Sequence, residues 1–117
     1  MIRFVLFVFL FFCVVPTTQA QTLTVLASWY GPGFEGKRMA NSQQFRSDDS
    51  SIAANRTLPL GTRLRVINPA NGRKLVVVVK DRGPYVKGRD LDLSFAAARY
   101  LGYIEDGVAK LIITICD

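Results

Sequence analysis

One aspartate stands where this sequence best supports chemistry. The apolar run Leu75–Val79 predicts a strand buried on both faces, and Asp81 follows it closely. Gly83-Pro84 then forces the chain out of the sheet. Asp81 is therefore expected at the end of a rigid strand, where its carboxyl group faces solvent and ligand together and can exchange a proton. The alternative is a structural Asp81 that caps the turn at Gly83-Pro84.

The residue types in the chain exclude several kinds of active site. The sequence has no histidine, which rules out Ser-His-Asp and Cys-His catalysis. With two cysteines and no histidine, a zinc site of the usual type is not expected either. We therefore predict no metal and no other cofactor.

The N-terminal segment has the pattern of a secretory signal peptide. Arg3 precedes the apolar run Val5–Val15, and a small-x-small step ends at Ala20. An uncleaved membrane anchor is the alternative, but about 12 apolar residues are too few to span a bilayer comfortably. We predict a signal peptide over residues 1–20. Residues 21–117 then form an exported domain without a stable membrane anchor, in the periplasm or outside the cell.

The two cysteines are expected to be separated by this cleavage. Cys13 follows two phenylalanines, whereas a lipoprotein peptidase needs small residues before the acylated cysteine, so Cys13 is expected to leave with the signal. Cys116 is then the single thiol of the exported domain. We interpret it as a buried structural cysteine on the last strand, with no disulfide.

The exported part of the chain is small and basic. About 97 residues remain, which is enough for one domain with one core. Without Arg3, 14 Lys and Arg residues stand against nine Asp and Glu, a net charge of +5. Such a charge favours a polyanionic partner such as a cell-wall polymer, a lipid surface or nucleic acid. The export signal argues against nucleic acid.

Residue patterns predict a mainly β domain. Alternation in Thr62–Ile67 points Leu64 and Val66 to one side of a strand, and Asn71-Gly72 marks a hairpin turn after it. Further strands are predicted at Leu23–Tyr30, Ser51–Asn55, Lys74–Lys80 and Val108–Cys116. A small closed barrel fits these strands best, because closure removes exposed sheet edges.

One short helix interrupts the strands. It is predicted over Phe95–Leu101, with Ser94 as its N-cap and Gly102 as the residue that ends it. Asp92 lies just before this helix. We interpret it as structural, with a carboxylate that satisfies backbone donors near the cap.

Aromatic residues surround a glycine-rich loop after the first strand. Trp29, Tyr30 and Phe34 lie in or beside residues 31–36, which include three glycines and a proline. Such a loop lets a ligand approach the backbone closely. The aromatic side chains are either ordinary core residues or a stacking platform for sugar rings. The polar segment Lys37–Ser51 that follows is predicted to be a long, functional loop.

Blocks of residues along the chain carry a family resemblance. In order they are Ala27-Ser28-Trp29-Tyr30-Gly31, Arg56-Thr57-Leu58-Pro59, Asn71-Gly72-Arg73, Asp81-Arg82-Gly83-Pro84-Tyr85 and Gly88-Arg89-x-x-Asp92-Leu93-Ser94. Together they resemble the rare lipoprotein A family, bacterial cell-wall proteins with a double-psi β-barrel. The resemblance covers nearly all of the exported domain, and the barrel is shared with plant expansins and some cellulases.

The resemblance implies both a fold and an activity. The fold is a mainly β, six-stranded double-psi β-barrel with one or two short helices. The activity is that of a peptidoglycan lytic transglycosylase, which cleaves peptide-poor glycan strands without water and leaves 1,6-anhydromuramic ends. The family's catalytic aspartate falls on Asp81. The implied partner is the glycan strand, bound by a monomer.

Two positions depart from the family pattern. Asn55 replaces a histidine, and Gln43 or Gln44 replaces a glutamate in a loop that is longer than the family's. Amides form hydrogen bonds with sugar hydroxyls but cannot carry a proton. One reading is therefore an enzyme that works with Asp81 alone or is impaired. The others are a non-catalytic glycan-binding or expansin-like module, and an inhibitor or effector that uses the same barrel.

The residues expected to bind substrate surround Asp81 in this reading. They are Trp29, Tyr30, Gln43, Gln44, Asn55, Arg56, Arg82 and Tyr85. Four further basic residues form either a basic face for the wall polymer or scattered surface charge. They are Arg63, Arg65, Lys87 and Arg89.

Overall fold

The computed structural model describes residues 22–116, which contain six strands and one α-helix. The strands are β1 (Thr22–Trp29), β2 (Ile52–Ala54), β3 (Arg63–Asn68), β4 (Arg73–Asp81), β5 (Leu91–Leu93) and β6 (Ala109–Ile115). Helix α1 (Phe95–Leu101) follows β5, and a short 3-10 turn (Pro32–Phe34) follows β1. Within residues 22–116, no helix is long and apolar enough to cross a membrane. The predicted signal peptide lies outside the described residues.

The six strands close into a barrel in the order β1-β5-β2-β4-β3-β6. β1 and β5 run parallel, as do β2 and β4, and the remaining neighbours are antiparallel. Each of these strands therefore has a partner on both sides, so its backbone groups are paired. The predicted mainly β, six-stranded double-psi barrel is confirmed.

Strand β3 and the hairpin after it follow the sequence pattern. Leu64 and Val66 are fully buried, whereas Arg63 and Arg65 on the opposite face are partly exposed. β3 pairs with β4 in antiparallel fashion, and Gly72 has a φ of 77° in the turn between them. Alternation along β3 therefore decides which face enters the core.

Strand β4 corrects one expectation. Val77 and Val79 are 0% exposed, but Val76, which precedes Val77 and lies on the outer face of β4, is 37% exposed. The prediction that Leu75–Val79 is buried on both faces is wrong, because a barrel strand has only one face toward the core.

Helix α1 begins and ends at the predicted residues. The Ser94 Oγ accepts a hydrogen bond from the Ala97 N–H at 3.2 Å, and Gly102 ends the helix with a φ of 88°. Ala97, Ala98 and Leu101 are buried in the main core. The helix thus packs its apolar face against β1 and β4.

Strand β5 is absent from the sequence-predicted strands. Leu91 and Leu93 are 0% exposed in the main core, and Asp92 between them points to the other side. Asp92 accepts a hydrogen bond from the Ser28 hydroxyl of β1. This partner corrects the predicted capping role of Asp92 at α1, where Ser94 supplies the cap.

A second apolar cluster holds the long loop after β1 against the outer side of the barrel. It comprises Tyr30, Met39, Phe45, Ile52 and Ala54. The Phe45 ring stacks on the Tyr30 ring with centroids 4.1 Å apart. Met39 and Phe45 thus fix a loop whose other residues are mostly polar, and we call residues 35–51 the cover loop.

Cys116 follows β6 and is buried, as expected of a structural cysteine. It is disulfide-bonded in the full chain. The expectation of a lone thiol concerns the domain after removal of residues 1–20 and stays a prediction. The other cysteine of the sequence, Cys13, lies outside the described residues.

Candidate functional site

A β-bulge decides where the Asp81 carboxyl group points. Ala53 of β2 pairs with Val79 of β4, but Ala54 pairs with Asp81, so Lys80 is an extra residue. Val79 faces the core, and strict alternation would turn Asp81 toward the core as well. The bulge instead places Asp81 on the outer side of the sheet with Ala54.

Four side chains form a row across neighbouring strands. Asp81 lies beside Ala54, Ala54 beside Asp92, and Asp92 beside Ser28 in the register of the barrel. The small Ala54 side chain leaves space between the carboxyl groups, whose Cα atoms are two strand spacings, roughly 10 Å, apart. All four residues line one groove of about 420 Å³. We call it the acidic groove.

The Asp81 carboxylate is held by three donors. Its Oδ2 accepts from the Tyr30 hydroxyl at 2.8 Å, and its Oδ1 accepts from the backbone N–H groups of Ala40 and Arg82, both at 2.9 Å. Because Ala40 belongs to the cover loop, the second apolar cluster helps to orient this carboxylate. Burial and the bond to Asp81 raise the pKa of Tyr30 well above its usual value, so the phenol keeps its proton and donates it.

Asp92 has a different environment. Among residues 22–116, the Ser28 hydroxyl donates a hydrogen bond to its Oδ1 at 3.1 Å. Burial raises the pKa of Asp92 to about 6; the Ser28 bond and Arg89 oppose the rise, and Asp81 adds to it. Asp92 can therefore carry a proton at a mildly acidic to neutral pH, where an ordinary aspartate has lost its proton.

An aromatic cavity adjoins the acidic groove. It encloses about 440 Å³ and shares Trp29, Tyr30 and Gly31 with the groove. On its wall the Trp29 and Phe95 rings pack edge to face, with centroids 5.4 Å apart. Aromatic faces next to carboxyl groups suit a sugar chain, since sugar rings present both apolar faces and hydroxyl groups.

The structure brings five of the sequence-predicted site residues together in the acidic groove. They are Trp29, Tyr30, Asp81, Arg82 and Tyr85. The other four do not line it: Gln43, Gln44, Asn55 and Arg56. Of the four basic residues outside that set, Arg89 reaches the groove wall.

Sequence reasoning missed two polar side chains of the groove, those of Ser28 and Asp92. The signal for Asp92 is its place between Leu91 and Leu93, because a carboxylate between two buried leucines must face the opposite side of a strand. Ser28 offers no such signal. Within the described part of the chain, no three or more His, Cys, Asp or Glu side chains are grouped to hold a metal ion.

Gln43 and Gln44 lie on a tight turn of the cover loop. The Gln43 Oε1 accepts from Asn41 Nδ2 at 3.0 Å, and Gln44 pairs with Arg38 in a β-bridge. Ser42 has a φ of 77°, a conformation that favours glycine. The family resemblance implies a Gly-Glu step in this loop, and the positive φ of Ser42 favours Ser42 as the replacement of the glycine and Gln43 as that of the glutamate.

Hydrogen bonds of Asn55, Arg56 and Arg82 join the loops around Asp81. The Asn55 Oδ1 accepts from the Leu58 N–H at 2.8 Å, and Arg82 Nη1 donates to the Leu58 carbonyl at 2.6 Å. Arg56 Nη1 donates to the Pro84 carbonyl at 2.7 Å. These polar groups are thus engaged with backbone partners of the loops after β2 and β4.

The fold and the site together define a class. The chain is a double-psi β-barrel with an open groove that carries two carboxyl groups and adjoins an aromatic cavity. The family model described as "Lytic transglycolase" matches residues 22–113. The chain therefore belongs to this family.

Curated relatives agree with this assignment. The "Probable endolytic peptidoglycan transglycosylase RlpA" of Aquifex aeolicus is 56% identical over 82 residues, which are 70% of this chain and 36% of the relative. The protein of the same name from Synechocystis sp. is 49% identical over 90 residues, which are 77% of this chain and 28% of the relative. This chain therefore spans only about a third of the length of these relatives.

A solved structure shares the fold. "Streptomyces papain inhibitor (SPI)" superposes with a TM-score of 0.66 and covers 88% of this chain and 99% of its own. The two sequences are 22% identical, so this likeness shows the fold alone.

Proposed function

We propose that this chain is the catalytic domain of an exported peptidoglycan lytic transglycosylase. Its substrate is a glycan strand that carries few stem peptides, and its products end in 1,6-anhydromuramic acid. One observation carries the proposal: a member of the lytic transglycolase family holds Asp81 outward in an open groove beside an aromatic cavity.

The proposed reaction requires one proton to be given and one to be taken. A carboxylic acid protonates the oxygen of the leaving sugar as its bond to C1 of N-acetylmuramic acid breaks. The 6-hydroxyl oxygen of the same muramic acid bonds to C1, and its proton passes to a carboxylate. No water is consumed. Asp81 faces the groove at the end of β4 and is the first candidate for these transfers.

The surroundings of Asp81 support a sugar substrate. Phe34 and Tyr85 line the acidic groove and are 48% and 78% exposed, so their rings are available to pack on sugar rings. The net charge of +5 on residues 21–117, from 14 Lys and Arg against nine Asp and Glu, favours association with an anionic wall polymer.

A non-catalytic glycan-binding module is the second candidate. The observation that favours it is the replacement of two ionisable family residues by Asn55 and, as inferred above, Gln43. Such a module would bind the same strands without cleaving them, and the loss of the Asp81 charge would then weaken binding instead of turnover.

The test is mass spectrometry of peptide-free glycan strands after incubation with the exported domain. We expect anhydro-ended fragments from the wild type and from Asp106→Asn, a control at an exposed aspartate outside the acidic groove. We expect at least about 100-fold fewer from Asp81→Asn, the scale of a lost acid or base. Intact strands that bind measurably to the wild type would select the non-catalytic candidate.

We further propose that residues 1–20 are removed on export and that the domain acts as a monomer in the cell envelope, without a membrane anchor. The signal-peptide pattern supports this location. N-terminal sequencing of the envelope fraction should find a chain that begins at Gln21. A cytoplasmic chain that begins at Met1 would contradict the proposal.

A further inference from the structure

We propose that Asp92 is a second catalytic residue, the acid that protonates the leaving sugar, and that Asp81 is the base that takes the proton of the 6-hydroxyl group. The inference rests on the proposed transglycosylase function and assigns its two proton transfers to two separate groups. It also gives this chain a second proton carrier, although the amides of Gln43 and Asn55 cannot serve as one.

The placement of the two carboxyl groups supports a division of labour. Asp81 and Asp92 line one groove and flank Ala54 on the shared outer side of the sheet. Two carboxyl groups that serve one sugar ring from two sides stand roughly 5 to 10 Å apart in glycan-cleaving enzymes. β4 and β5 lie two strand spacings apart, with the Ala54 methyl group of β2 between Asp81 and Asp92, and this arrangement gives a separation of that order.

The hydrogen bonds around Asp81 suit a base. Both of its oxygens accept, one from the Tyr30 hydroxyl and the other from the backbone N–H groups of Ala40 and Arg82. These three donors orient the carboxylate, and its oxygens have lone pairs left that can accept a proton from the substrate.

The surroundings of Asp92 suit an acid. Asp92 lies between two buried leucines along β5 with its side chain on the opposite, outer face, and burial there raises its pKa to about 6. The polar groups that act on it come from every side. Ser28 of β1 and Arg89 of the loop before β5 lower its pKa, and Asp81 of β4 raises it. The Asp92 charge in turn raises the pKa of the nearby phenols of Tyr30 and Tyr103.

The step balances with these two groups. Asp92 gives its proton to the leaving oxygen as the C1–O bond breaks, and the electron pair of that bond stays on the leaving oxygen. The 6-hydroxyl oxygen forms the new bond to C1, and Asp81 takes its proton. Afterwards Asp81 is protonated and Asp92 ionised, and exchange with water in the open groove restores both.

The experiment measures the pH dependence of anhydro-end formation for the wild type and for Asp92→Asn. We expect at least about 100-fold less turnover for Asp92→Asn, with glycan binding unchanged. Asp90→Asn is the matched control, because Asp90 lies two residues away and does not line the groove; its turnover should stay within about threefold of the wild type, as expected of a residue away from the chemistry.

Ser28→Ala is the second variant, and it does not depend on the folding of Asp92→Asn. The Ser28 hydrogen bond lowers the pKa of Asp92, so its removal should move the basic limb of the wild-type pH profile to higher pH. An unmoved basic limb, or an Asp92→Asn variant within tenfold of wild-type turnover, would overturn the inference and leave the proposed function standing. A wild type that forms no anhydro ends would overturn both.

Discussion

Polar side chains on the strands and polar side chains on the loops around the acidic groove differ in where they point and what they contact. On the strands, Asp81 and Asp92 direct carboxyl groups into the groove from fixed positions in the sheet. On the loops, Gln43 and Asn55 form hydrogen bonds within or beside their own turns and do not line the groove. The ionisable groups are thus on the strands of the barrel, and the amides stabilise loops beside the groove.

This difference bears on the replaced family positions. An amide at either loop position is an acceptable structural residue, because it satisfies backbone or neighbouring side-chain groups. Neither amide lines the groove, and the two strand carboxyl groups remain there as the proposed proton carriers. If this comparison holds, substitutions of the loop amides should leave turnover nearly unchanged, and substitutions of the strand carboxyl groups should reduce it.

The largest stability effect is expected for Asn55→Ala. The truncation removes the acceptor of the Thr57 and Leu58 N–H groups and the donor to the Asp90 carbonyl. We expect the free energy of unfolding to fall by about 1–3 kcal/mol, as for other lost caps and buried hydrogen bonds. Urea denaturation measures it. Turnover per folded molecule that falls more than tenfold would break the comparison, because it would place Asn55 in the chemistry.

Asp92→Asn should stabilise the domain at neutral pH. Because the folded-state pKa of about 6 exceeds the ordinary value of 3.8, the folded state holds the proton more tightly. The free energy of unfolding of the wild type therefore falls as pH rises from about 4 to about 6, and it stays lower above that range. Asparagine does not ionise and keeps an acceptor for Ser28.

We expect Asp92→Asn to be more stable than the wild type by about 1–2 kcal/mol at pH 8, after allowance for partial solvent screening. The two proteins should be equally stable at pH 4. Thermal unfolding at both pH values measures the difference. Equal stability at pH 8 would show that burial does not hold the proton on Asp92.

Tyr30→Phe should reduce turnover by about tenfold, because it removes a single hydrogen bond to the Asp81 carboxylate and keeps the ring that stacks on Phe45. Asp81 keeps the backbone N–H groups of Ala40 and Arg82 as donors, so the loss should be partial. A tenfold loss of glycan binding with unchanged turnover would instead make Tyr30 a substrate contact.

Gln43→Ala should have the smallest effect. Gln43 is exposed and its side chain contacts Asn41 in its own turn, so we expect a change in stability within about 0.5 kcal/mol and turnover within about threefold. Steady-state assays on glycan strands measure the change in turnover. A large loss of turnover would mean that the cover loop moves Gln43 into the groove when substrate binds.

Much of the fold follows from local signals in the sequence. The alternation of Leu64 and Val66, the Asn71-Gly72 turn and the Ser94 cap each depend on neighbours in the chain, so a residue-by-residue reading predicts them. The double-psi connection came from the family resemblance. Strand β5 could not be predicted from periodicity, because three residues are too few to show an alternating pattern.

The candidate site was predictable only in part. Asp81 is recognisable because it ends an apolar strand before Gly83-Pro84, although the bulge at Lys80 that turns it outward is a property of strand pairing. Asp92 and Ser28 meet through the parallel pairing of β1 and β5, which joins residues 64 positions apart. No local pattern contains that information. The roles assigned to Gln43, Gln44, Asn55 and Arg56 as substrate-binding residues stay predictions.

The most direct test of the account is digestion of peptide-free glycan strands in water enriched in ¹⁸O, followed by mass spectrometry of the new muramic ends. The account predicts anhydro ends without ¹⁸O, formed by the wild type and not by Asp81→Asn, because the 6-hydroxyl oxygen and not water closes the reaction. New ends that carry ¹⁸O would reveal a hydrolase. Strands left intact by the wild type would contradict the assignment of a catalytic function to the acidic groove.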